Sequence, residues 1–125
     1  MNRYLMAREV IESRGQGTIV VAYKRYETEL FTEQLQRIRR ADRTVAQRID
    51  KILNRILKNP EIYDGLLKGP RAGQCKKRAV DEKYRIVYKY CELCLKLNKE
   101  KCADCDLPDD AVIFREVFRR DEGYD

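Results

Sequence analysis

The sequence predicts an α+β domain in which a two-helix hairpin packs on a small, mainly antiparallel sheet of about four strands. Three observations carry this. Apolar residues recur with helical spacing through two stretches between residues 28 and 58. A basic stretch, GQCKKRAVDEKYRIVYKY at residues 73–90, alternates with strand spacing on either side of one turn. Short β-branched and aromatic runs, TIVVAYKRY at 18–26 and AVIFREVF at 111–118, stand before and after. The order is strand, helix, helix, strand, strand, cysteine-bearing loop, strand. With 125 residues the chain is the size of one domain with a modest two-layer core. Residues 1–17 form an N-terminal extension, and residues 18–125 form the domain, including a four-cysteine insertion at 91–105.

In the extension, Tyr4, Leu5, Val10 and Ile11 precede the flexible GQG, so a short helix, a short strand or a frayed arm all fit. Ile19, Val20, Val21 and Ala22, followed by Tyr23 and Tyr26, read as the first core strand. Residues 28–40 place Leu30, Phe31, Leu35 and Ile38 near one helical face. After a link of about four residues, a second helix begins past Asp42 and Arg43 with Thr44 and Gln47 as a capping box. It buries Val45, Ile49, Ile52, Leu53 and Ile56, and Lys58, Asn59 and Pro60 end it. The arginines at 37, 39, 40, 43 and 48 read as a solvated helix face ahead of a nucleic-acid contact.

Residues 59–73 are punctuated by Pro60, Gly65, Gly69, Pro70 and Gly73 and read as a compact connection pinned by Leu66 and Leu67. The basic hairpin then runs as a strand at 74–80, a turn at Asp81, Glu82 and Lys83, and a return at 84–91. Alternation puts Lys76 and Arg78 on one face and Cys75, Lys77 and Ala79 on the other. In the return, Tyr84, Ile86, Tyr88 and Tyr90 alternate with Arg85, Val87 and Lys89. Seven Lys and Arg residues fall between Arg71 and Lys89 against Asp81 and Glu82 alone, so the patch with its interleaved tyrosines suits a polyanion crossing a sheet. In the last strand Val112, Phe114 and Glu116 oppose Ile113, Arg115 and Val117.

Composition narrows the chemistry. A formal charge of +6 favours an acidic partner, nucleic acid or an acidic protein segment. His is absent, so no histidine triad, histidine metal site or histidine acid–base pair is available, and proton transfer falls to Lys, Arg, Tyr, Asp, Glu or Cys. Trp is absent too, which leaves Tyr, Phe and the guanidinium plane of Arg for stacking on bases. With no long apolar run and no secretory leader in the sequence, a cytoplasmic location is expected.

Cys91 and Cys94 form one CxxC pair, Cys102 and Cys105 a second, with seven residues between them. Two such pairs can place four thiolates around a tetrahedral ion, and Zn2+ is the expected occupant. The intervening Lys96, Lys99, Glu100 and Lys101 supply too little apolar area to order the insertion by themselves. A site filled by four cysteines has no open position, so its role is structural. Disulfides or an iron–sulfur cluster are the alternatives. Cys75 lies outside this spacing and reads as a buried thiol.

The strings ILNRILKNP, LLKGP, CKKRAVDEKYRIVYKY and VFRRDEGY, in this order over residues 18–124, resemble the RelE/ParE toxin superfamily, in particular its RelE-like messenger-RNA interferase branch. The insertion and the extension lie outside that pattern. The resemblance implies a RelE-like fold and a metal-independent endoribonuclease that acts on messenger RNA in the ribosomal A site and is neutralised by a cognate antitoxin protein. In that chemistry a ribose 2'-hydroxyl attacks the adjacent phosphate, leaving a 2',3'-cyclic phosphate and a 5'-hydroxyl.

The family's site residues map, by this resemblance, onto Lys76, Arg78, Arg85, Arg120 (with Arg119 as its alternative) and Tyr124. Lys76 is the better base, because an ammonium gives up its proton more readily than a guanidinium does. Arg85 suits a clamp on the scissile phosphate, Arg120 a place near the leaving oxygen, and Tyr124 a stacking contact with a nucleotide. Two further readings remain open: an RNA- or ribosome-binding module that does not cut, and a ParE-like toxin directed at DNA gyrase.

Overall fold

A computed structural model describes residues 5–8, 23–93, 108 and 110–122. The elements follow in the order β1 (Leu5–Arg8), β2 (Lys24–Glu27), α1 (Glu29–Ala41), α2 (Arg43–Lys58), β3 (Gly65–Leu66), β4 (Cys75–Ala79), β5 (Tyr84–Tyr90) and β6 (Ala111–Arg119). They make an α+β fold with both helices against one mixed, mainly antiparallel sheet of order β1-β2-β6-β5-β4-β3. Four of these strands, β2, β4, β5 and β6, correspond to the runs legible in the sequence. The sheet is wider than four because β1 adds to one edge and the two-residue β3 to the other. Of the first predicted strand, residues 18–22 lie outside the described residues, and the described part is β2.

The helices start where side chains satisfy their first backbone N–H groups. Thr28 Oγ1 accepts from the N–H of Phe31 at 3.1 Å and opens α1. Asp42 is at once the C-cap of α1 and the N-cap of α2, its carboxylate accepting from the N–H of Val45 at 3.1 Å. This replaces the expected Thr44–Gln47 box and shortens the link from about four residues to one. Asp is as good an N-cap as any residue, and its position two residues earlier draws Thr44 into the helix.

α1 buries Phe31 and Leu35, and α2 buries Ala46, Ile49, Leu53, Ile56 and Leu57. Leu30, expected inside, is 49% exposed, because Phe31 takes the inward position beside it. Against these helices the sheet sets Cys75, Ala79, Ile86, Tyr88, Val112, Phe114 and Val117 in a single core. Phe31 and Phe114 stack across the interface with ring centroids 5.4 Å apart. The connection after α2 is held by buried Pro60, whose carbonyl accepts from the Tyr88 hydroxyl at 2.6 Å. Leu66 is 38% exposed and does not pin it.

β6 departs from simple alternation. Val87 lies opposite Glu116 but the next residue, Tyr88, lies opposite Phe114, so Arg115 is an extra residue in the ladder. The bulge exchanges the faces expected for Glu116 and Val117: Val117 joins the core and Glu116 turns to the opposite face, where Arg71 meets it. Its cause lies next door. The pairing of β2 with β6 ends at Glu27 opposite Phe114, and α1 supplies the missing partners. Thr28 Oγ1 donates to the Arg115 carbonyl at 2.9 Å, and the Val117 N–H donates to Gln34 Oε1 at 2.8 Å.

Candidate nucleic-acid interface

β4 and β5 pair with Lys76 opposite Val87, Arg78 opposite Arg85 and Ala79 opposite Tyr84. Since Cys75, Ala79, Ile86 and Tyr88 face the helices, alternation sends Lys76, Arg78, Arg85 and Lys89 to the other side of the sheet. The hairpin tyrosines do not share that side. Tyr88 and Tyr90 are buried in the core and Tyr84 packs against it, so none of the three forms part of the basic face; this corrects the expectation of a patch interleaved with tyrosines. Burial drives the pKa values of Tyr88 and Tyr90 well above the ordinary phenol value.

Two of the predicted site residues are tied to the hairpin turn. Arg85 Nη1 donates to the carbonyls of Glu82 at 2.7 Å and of Tyr84 at 3.1 Å, which directs its guanidinium along the strand toward the turn. The backbone N–H of Arg120 donates to the Lys83 carbonyl at 2.7 Å, so the exposed Arg120 sits beside that same turn. Arg78 is 3.9 Å from Glu82 through Nη1, and its backbone N–H donates to Asp64 Oδ2 at 2.6 Å. Thus Arg78, Arg85 and Arg120 gather at one end of the face, with Lys76 two residues down β4. Arg119, the alternative to Arg120, lies opposite Tyr84 in the register and lines a concavity with α1 instead. Tyr124 lies outside the described residues.

The turn has an unusual backbone. Val80, Asp81 and Glu82 have φ of 51°, 56° and 66°, three successive non-glycine residues in the left-handed region. Burial of the Val80 side chain and the hydrogen bond from the Lys83 N–H to the Val80 carbonyl at 3.1 Å hold this conformation. It turns the Glu82 carbonyl toward Arg85. Strain of this kind is tolerated where neighbouring contacts over-determine the backbone.

Three residues to which the sequence assigned no role also shape the face. Gly65 lies opposite Lys76, and a Cβ there would come within 3.1 Å of Lys76 Cε. The missing side chain leaves room for the lysine stem. Arg71, from the connection between β3 and β4, pairs with Glu116 of β6 and therefore reaches over β5. Both partners are mostly buried, and Glu116 puts a carboxylate in the same row as Lys76 and Val87. The hidden bulge and a separation of 45 residues left this pair without a sequence signal.

At the far end, Cys91 follows β5 and is buried against Ala111 and Tyr26. The two ends of the insertion are thereby held side by side, and Tyr23 Oη donates to Glu92 Oε1 at 2.5 Å just past the first cysteine. Cys94, Cys102 and Cys105 lie outside the described residues. Cys75 is buried in the core, as its apolar reading implied.

The two-helix layer on this mixed sheet defines a RelE-like fold. No family model matches the chain, and no curated protein does. The chain is similar to a chain of the crystal structure of the toxin–antitoxin complex RelBE2 from Mycobacterium tuberculosis, with a TM-score of 0.54 and 18% identity. The likeness covers 80% of this chain and 100% of that one.

Proposed function

We propose that the protein is a ribosome-dependent endoribonuclease toxin that cleaves messenger RNA and is neutralised by an antitoxin. The observation that carries this reading is the gathering of Lys76, Arg78, Arg85 and Arg120 on and beside one sheet face of a RelE-like fold. Lys76 takes the proton from the ribose 2'-hydroxyl as its oxygen bonds to the adjacent phosphorus. Arg85 and Arg78 hold the phosphate oxygens as negative charge grows on them. The bond to the 5'-oxygen then breaks and that oxygen takes a proton from solvent water beside Arg120, giving a 2',3'-cyclic phosphate and a 5'-hydroxyl. Tyr124 stacks on a nucleotide. A site so rich in guanidinium and so poor in proton-transfer groups positions its substrate better than it moves protons, which suits a substrate already ordered by the ribosome.

The partner follows from the same likeness. The similar structure is of a toxin–antitoxin complex, and an exposed basic face invites an acidic or amphipathic segment that folds on binding. The four-cysteine insertion holds a structural Zn2+ through Cys91, Cys94, Cys102 and Cys105, away from the RNA chemistry. The juxtaposed ends at Cys91 and Ala111 support a closed knuckle. Among the described residues no helix is long and apolar enough to cross a membrane, and we place the protein in the cytoplasm with its ribosomal target.

The test is cleavage of messenger RNA in programmed ribosomes by wild type, Arg85→Ala and Arg85→Lys. Loss of a phosphate contact made in the transition state costs about 3 kcal/mol, roughly a hundredfold in rate. Ribosome affinity should fall less than the single-turnover rate, and circular dichroism should show folded protein. Lysine should restore binding more than cleavage, since it cannot reproduce the guanidinium fork. Equal cleavage by all three removes Arg85 from the site. No cleavage by a wild type that binds ribosomes favours the non-cutting RNA-binding module.

A further inference from the structure

We infer that the junction of α1 and α2 is a second polyanion surface, separate from the sheet face, that docks the phosphate backbone of double-helical RNA. A cavity of about 420 Å3 at this junction is lined by Gln36, Arg39, Arg40 and Arg43. A separate cavity of about 200 Å3, between α1 and the sheet, is lined by Arg37 and Arg119 among others. Three arginines, Arg39, Arg40 and Arg43, therefore line the junction cavity.

Their charge is not consumed by the fold. Arg39 is paired with Asp50 at 3.1 Å, but Arg37, Arg40 and Arg43 have no ion-pair partner among the described residues. The one acid in these cavities, Asp42, is engaged as the cap of α2 through Val45. Arg39 and Arg40 in the last turn of α1 complement that helix dipole, which accounts for a cation there. Arg43 has no such account. It opens α2, where the exposed N–H groups already carry positive charge, and beyond the capping carboxylate of Asp42 the first turn holds no acid. A cation placed against the dipole, beside Arg40 with no ion pair among the described residues, is relieved by an anion from outside.

The occupant is read from what lines the larger cavity. It presents guanidinium groups and one amide, with no apolar or aromatic anchor of the kind that dominates protein interfaces. Planar guanidinium forks match phosphate oxygens, and Gln36 can both donate to and accept from a ribose hydroxyl. Several arginines side by side suit successive phosphates along a groove better than one isolated anion. The choice of RNA over DNA rests on the ribonuclease reading; the phosphate docking itself needs no cleavage. Because the helices cover the face of the sheet opposite Lys76 and Arg85, a duplex held here leaves the messenger-binding face open.

The experiment measures binding of a labelled RNA duplex of about 16 base pairs across a salt series, with a DNA duplex of the same sequence beside it. The protein is the full chain as wild type, Arg40→Ala/Arg43→Ala and Arg40→Lys/Arg43→Lys. Removing both arginines should weaken RNA binding roughly tenfold or more and reduce the slope of log affinity against log salt by about two. The lysine pair should keep most of the slope. Unchanged affinity and slope in the alanine pair would overturn the inference, as would equal binding of the DNA duplex with the same sensitivity. Loss of a co-expressed antitoxin by the alanine pair, with RNA binding intact, would reassign the surface to a protein. If the alanine pair loses the duplex while wild type fails to cut messenger RNA, the docking surface stands and the ribonuclease reading falls.

Discussion

Tyr23 shows how a single hydrogen bond makes one residue report on its surroundings. Its hydroxyl donates to Glu92, and that bond, ahead of burial, pushes its pKa from 10.0 up to about 12. The folded state then holds the proton more tightly than the unfolded chain does. The stability this contributes is whole below pH 10 and is lost as pH rises through about 12. In an ultraviolet titration of tyrosinate we expect Tyr23→Phe to delete a transition near pH 12, and Glu92→Ala to move that transition back toward 10. A Tyr23 midpoint near 10 in the wild type would contradict the hydrogen bond. Lys76 and Gly65 make the complementary point about space. The lysine was legible from strand alternation, whereas the glycine that leaves room for it read only as punctuation, because the pairing of β3 with β4 is a contact of the folded sheet.

Elements in this protein end where their neighbours end. β2 stops at Glu27, and α1 takes over its bonding to β6 through Thr28 and Gln34, which fixes the bulge at Arg115. Gln34→Ala should leave the Val117 N–H without its acceptor in a buried setting and destabilise the fold by about 1 to 2 kcal/mol. Urea unfolding should show a lower midpoint with an unchanged slope. An unchanged midpoint would mean that the side chain contributes nothing to the bulge. The hairpin turn is the second such case. Its left-handed run from Val80 to Glu82 is held between Arg85 and Arg120, so the turn locates both guanidinium-bearing residues. Replacing Glu82 by Asn, which tolerates positive φ better, should raise stability by up to about 1 kcal/mol. A thermal melt at or below that of wild type would show that the Arg78–Glu82 contact outweighs the strain.

At the scale of the whole molecule, the two layers divide the charge. One sheet face carries the hairpin cations, the helical layer carries the arginines of the α1–α2 junction, and the apolar core lies between them. The proposed zinc knuckle joins β5 to β6 at the end of the sheet remote from the turn. We expect one equivalent of zinc per chain in protein purified without added metal, and chelation should lower the melting temperature. Elemental analysis with a thiol count checks this, and two mapped disulfides without zinc would refute it. Local chemistry in the sequence was enough to determine the α+β class, the two amphipathic helices, the hairpin with its turn, and the shared face of Lys76, Arg78 and Arg85. Each of those depends on periodicities of 3.6 or 2 that a chain carries whatever its neighbours are. Tertiary structure alone decided the rest. It buried the tyrosines that alternation left on an unassigned face, exchanged Glu116 with Val117 through a bulge set by where β2 stops, and brought Arg71 across β5 to Glu116. It also drew Arg39, Arg40 and Arg43 together around a one-residue junction. These outcomes depend on which elements become neighbours, and that is settled by burying one shared core, a condition no local pattern contains.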